Sequence, residues 1–99
     1  MGLEVKESKI EKNIKCKMDL YVYEYARKIR VVNALDKAGI NLKYFRESAY
    51  DLLAKAESLA SLVDCVDHGF TRRGRRYIRE KRQEIWDIGE KYSYWNVNS

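Results

Sequence analysis

Ninety-nine residues, 45% of them hydrophobic and 35% charged, suffice for one folded domain. That balance excludes a disordered polyelectrolyte, and no apolar run approaches the roughly 20 residues of a membrane-spanning helix. The net charge of +5 points toward anionic partners. Residues 1–6 carry no apolar export-signal core, so a cytoplasmic location and no membrane partner are expected. The two cysteines, Cys16 and Cys65, are too few and too widely spaced for a disulfide scaffold or a zinc knuckle. No cofactor and no metal site are expected. Proline is absent, which removes the commonest breaker of helix interiors.

The spacing predicts a first helix over 8–38, opened by Ser8 with Glu11 three residues on as a capping box. Ile14, Met18, Tyr21, Tyr25, Lys28, Val32 and Leu35 recur at heptad spacing, with Val22 and Ile29 alongside. Within 14–25 the residues Ile14, Cys16, Met18, Leu20 and Val22 also alternate as a strand would, so that stretch reads as helix or strand. Helix is preferred because no other segment offers such a strand a partner. Tyr21, Tyr23 and Tyr25 span more than a full turn, which puts Tyr23 off the core face.

The middle segment carries the clearest periodicity. Leu42, Phe45, Ala49, Leu52, Ala56, Leu59, Val63 and Val66 fall at alternating spacings of three and four, a seam on one face of a helix over 42–68. Asn41 is its expected N-cap and Gly69 its C-terminal glycine. Gly39-Ile40-Asn41 and Gly69-Phe70-Thr71 share one order: a glycine to end a helix, an apolar residue, a polar cap for the next. Turns this short make neighbouring helices antiparallel. A third helix over 72–92 follows, with Ile78, Lys81, Ile85, Ile88, Tyr92 and Trp95 as its seam. The expected fold is an all-α antiparallel three-helix bundle, a single domain over 1–99 with 1–7 and 96–99 as flexible ends.

Charge is unevenly placed. Residues 1–39 carry nine Lys/Arg against six Asp/Glu, residues 40–69 three against five, and residues 70–99 eight against four. In the last third, Arg72, Arg75, Arg79 and Arg82 fall on one helical stripe, bordered by Arg76 and ending at Trp86. Guanidinium groups bind phosphate oxygens bidentately, and an indole offers a stacking face. Arginines in the first turn also oppose the helix dipole unless an anion is present, and Gly74 there would let a phosphate approach the backbone. The leading expectation is therefore non-catalytic binding of nucleic acid, DNA or RNA, through this ridge.

Two other readings accompany it. The arginines and the many tyrosines could serve a small protein-interaction module, an inhibitor or regulatory subunit, on an acidic partner surface. A small anionic ligand such as a nucleotide is the third. A homodimer is compatible with each. Pairing of the last two helices about residue 70 would also set Asp67 near Arg73 and Asp64 near Arg76, engaging two arginines internally. No catalytic triad, phosphate loop or carboxylate pair is present in the sequence, so no enzymatic activity is expected. His68, the one histidine, suits the end of the second helix better than a reaction.

Overall fold

A computed structural model describes residues 8–66 and 69–92. They form three helices: α1 (Lys9–Lys37), α2 (Lys43–Cys65) and α3 (Arg72–Lys91). Each helix packs against the other two, giving an all-α three-helix bundle. α1 and α2 run antiparallel, as do α2 and α3, so α1 and α3 are parallel. Residues 14–25 lie wholly within α1, which resolves the strand alternative in favour of helix. The expected ends at 1–7 and 96–99, together with Asp67, His68 and Trp95, fall outside the described residues.

The core follows the periodic seams. Ile14, Met18, Val22, Tyr25, Ile29 and Val32 from α1 meet Ala49, Leu52, Leu53, Ala56, Ala60 and Val63 from α2, and Ile78 and Ile85 from α3. Three of the buried positions of α2, Ala49, Ala56 and Ala60, are alanines. Burial of each large aliphatic side chain contributes about 1.5–3 kcal/mol. Lys81 stands in the α3 seam as expected, with its ammonium over the Tyr77 ring and beside Asp19 and Glu84.

The first connection is a Schellman turn. Gly39 adopts φ +80°, the Gly39 N–H donates to Asp36 O at 3.0 Å, and the Ile40 N–H donates to Leu35 O at 2.8 Å. The next helix does not use Asn41 as its cap. Leu42 is the N-cap of α2 and supplies no side-chain bond, while the Arg46–Asp36 ion pair, 2.6 Å, closes the hairpin instead. Leu42 and Phe45 consequently begin the seam outside the core, 43% and 36% exposed. Gly69 adopts the left-handed conformation at φ +89°, but α2 has already ended at Cys65.

Candidate polyanion interface

Thr71 caps α3 as the sequence indicates: its Oγ1 accepts the Gly74 N–H at 2.9 Å. α3 has no acidic residue in its first turn. The missing carboxylate comes from α1. Glu11 is 1% exposed, and its two oxygens accept the Thr71 N–H at 2.8 Å and the Thr71 hydroxyl at 2.7 Å. Glu11 lies against Gly74, where an added Cβ would sit 1.9 Å from Glu11 Oε2. The close approach that glycine permits is thus made by a carboxylate of the same chain, not left open for a phosphate. The capping box at Ser8 is half realised for the same reason. Ser8 Oγ accepts the Glu11 N–H at 3.1 Å, while the Glu11 side chain turns away to α3.

Ser8 Oγ also donates to Gly69 O at 2.7 Å. With Glu11 and Thr71, this bond holds the first turns of α1 and α3 side by side at one end of the bundle. Lys9, Lys12 and Lys17 are exposed on α1 there, and Arg72, Arg73 and Arg76 on α3. Lys15 stands beside them with its ammonium 4.9 Å from the centre of the Tyr77 ring. Arg76 has one weak partner, Glu80 at 3.8 Å one turn on, and its side chain is 81% exposed. Arg72 and Arg73 make no ion pair or hydrogen bond with the described residues. The N-terminus of α1 adds its positive dipole end to the field of these side chains, while Glu11 offsets that of α3.

The rest of the expected ridge is engaged by α2. The Arg75 guanidinium donates Nη1 to Val63 O at 2.8 Å and Nη2 to Val66 O, capping the last carbonyls of α2. Its charge also lies 5.8 Å from the Phe70 ring centre. Arg79 pairs with Asp64 at 3.4 Å, one turn further along than the expected Arg76 pairing. Arg82 Nε donates to Glu57 Oε2 at 2.9 Å, and the Trp86 indole N–H donates to the same oxygen. Burial pushes the Glu57 carboxyl up, but hydrogen bonds from Arg82 and Trp86 and the Arg82 charge outweigh it and leave it lowered. The continuous stripe from Arg72 to Trp86 therefore divides. Arg72 and Arg76 face outward at the basic end, Arg75 and Arg82 brace α2, and Arg79 sits between at 64% side-chain exposure.

Lys9, Lys12 and Arg73 are the residues that sequence reasoning missed at this end. Their signal lay in the charge, but joining them requires knowing that α1 and α3 run parallel in this register. Among the described residues, no cluster of His, Cys, Asp or Glu is arranged to hold a metal ion. Cys16 and Cys65 are exposed free thiols. No helix among the described residues is long and apolar enough to cross a membrane. Comparison with protein-family models, curated proteins and solved structures finds no match.

Proposed function

We propose that this chain is a non-catalytic polyanion-binding protein that holds nucleic acid through the basic end formed by the first turns of α1 and α3. The observation that carries this reading is the joining of those turns by Ser8–Gly69 and Glu11–Thr71, which sets side by side the two helix beginnings that carry the exposed Lys9, Lys12, Arg72, Arg73 and Arg76. Glu11 fills the N-terminus of α3, so phosphates are met by side chains and not by backbone N–H groups. Guanidinium and ammonium contacts to a phosphate backbone carry no base information, and binding is therefore weakly sequence-specific. Trp86, held by Glu57, plays no stacking part in this scheme.

The test is fluorescence anisotropy with labelled duplex DNA and single-stranded RNA over a series of salt concentrations. Affinity falls steeply with salt, and each lost phosphate contact lowers the slope by about 0.9 on duplex DNA. Arg72→Ala, Arg73→Ala and Arg76→Ala together flatten that dependence. Absence of binding to either nucleic acid at low salt defeats the proposal.

A second reading, a protein-interaction module with an acidic partner, draws support from a different set of residues. Tyr23 and Tyr44 are 61% and 79% exposed, far beyond what a small bundle needs for its own packing.

A further inference from the structure

α3 covers one side of the α1–α2 pair, through Asp19 and Arg30 on α1 and Glu57 and Asp64 on α2. The opposite side of that pair has no helix on it among the described residues. There, Tyr21, Glu24, Lys28 and Val31 follow one another at spacings of three, four and three on α1. Phe45, Ser48, Leu52, Lys55, Leu59 and Leu62 do the same on α2. The two stripes face each other across a groove, bridged by a hydrogen bond from Lys28 Nζ to Ser48. Two depressions lie along it, one lined by Tyr21, Lys55, Leu59 and Leu62, the other by Glu24, Arg27, Val31 and Phe45.

The floor is apolar and open to solvent: Leu62 is 51% exposed, Val31 43% and Phe45 36%. The walls are cationic. Arg27, Lys28 and Lys55 stand along them, against Glu24 and the Asp51 that pairs with Lys55 at 3.1 Å. A helix laid into the groove would complete a four-helix arrangement, and helix-in-groove recognition reads such a floor through apolar anchors one turn apart. The charge of the walls selects what flanks those anchors.

We infer that the groove between α1 and α2, on the side away from α3, docks an amphipathic helix of a partner protein whose apolar face is flanked by acidic residues. This rests on the interaction-module reading and is independent of the polyanion interface at the basic end. A second copy of this chain fits less well. The outward face of its α3 offers Glu80, Glu84 and Asp87, but Ile78 and Ile85 turn into its own core, and Trp86, the one large apolar side chain exposed on α3 among the described residues, is held by Glu57.

The probe is a labelled synthetic helix of about five turns, with leucines at a and d positions and glutamates beside them, compared with the same peptide carrying lysines. Anisotropy titration of the full chain is expected to show saturable binding of the acidic peptide and much weaker binding of the basic one. Leu62→Asp weakens the acidic peptide about tenfold or more, as loss of an anchor does. Arg27→Glu with Lys55→Glu reverses the preference, and these exposed positions leave helicity by circular dichroism unchanged. No binding of the acidic peptide, equal binding of both peptides, or indifference to Leu62→Asp overturns the inference. So does a self-associated chain that Leu62→Asp dissociates in sedimentation, because a second copy then occupies the groove. Nucleic-acid affinity is unchanged by Leu62→Asp, so failure here and failure of the polyanion reading are read separately.

Discussion

The Glu11 carboxylate occupies the space that a side chain at Gly74 would need. One buried acidic residue on α1 thereby serves two helix beginnings: its N–H is capped by Ser8 and its oxygens receive Thr71. Gly74→Ala should destabilise the protein by about 2 kcal/mol, even though alanine favours an isolated helix over glycine by about 1 kcal/mol. Urea denaturation measures it. In the Glu11→Ala background the same substitution should cost far less, because the colliding group is gone; additive costs would show that the contact is absent.

Arg75 does structural work at the end of α2. Its two bonds to Val63 O and Val66 O replace the helical cap that the Val66 backbone, extended at φ −97° and ψ 129°, cannot provide. Arg75→Ala should raise amide hydrogen exchange in the last turn of α2 while leaving α1 protected. Arg75→Lys should restore little, since a single ammonium cannot span both carbonyls as the planar fork does.

Tyr25 is 1% exposed, and its hydroxyl oxygen is buried without a hydrogen-bond partner among the described residues. Burial, with the nearby Tyr50 as the lesser cause, pushes its ionisation up to about 12. Tyr25→Phe should therefore be neutral or stabilise by up to about 1 kcal/mol, measured by denaturant titration, because it removes an unpaired polar atom. A raised tyrosine contributes stability that is full below the ordinary value near 10 and is lost as the pH climbs toward 12. Tyr77 is also raised to about 12, chiefly by its bond to Asp19 at 2.5 Å. Absorbance titration should find both tyrosines still neutral where exposed tyrosines have ionised.

Glu57 gives the opposite pH behaviour. Its carboxyl is held low in the folded state, so its contribution to stability is present above the ordinary glutamate range and disappears as acid protonates it. Trp86 donates its indole N–H to this group. Acidification below the ordinary glutamate range should move the Trp86 indole resonance in a nitrogen–proton correlation spectrum, and Glu57→Gln should abolish that movement.

Much of the architecture was legible because it is written in local spacing. The α2 seam from Ala49 to Val63, the Gly39 turn and the Thr71 cap each depend on a few neighbouring residues. The beginning of α2 was less legible. Phe45 has the right periodicity for the core, but periodicity says nothing of whether a neighbouring helix extends far enough to cover it. The candidate site was the least legible part. The arginine stripe is a correct statement about one helix, yet Arg75, Arg79 and Arg82 meet α2, and the stripe alone cannot register that. Glu11 looked like an ordinary capping residue because its real partner is 60 positions away.

Chemical-shift mapping with a short duplex DNA tests the central claim most directly. Addition of the duplex to isotope-labelled protein should move the amides at the starts of α1 and α3, Lys9 to Lys12 and Arg72 to Arg76, and leave Glu57, Arg82 and Trp86 in place. Shifts centred on Arg82 and Trp86, or none at saturating duplex in low salt, would contradict a binding surface at the basic end.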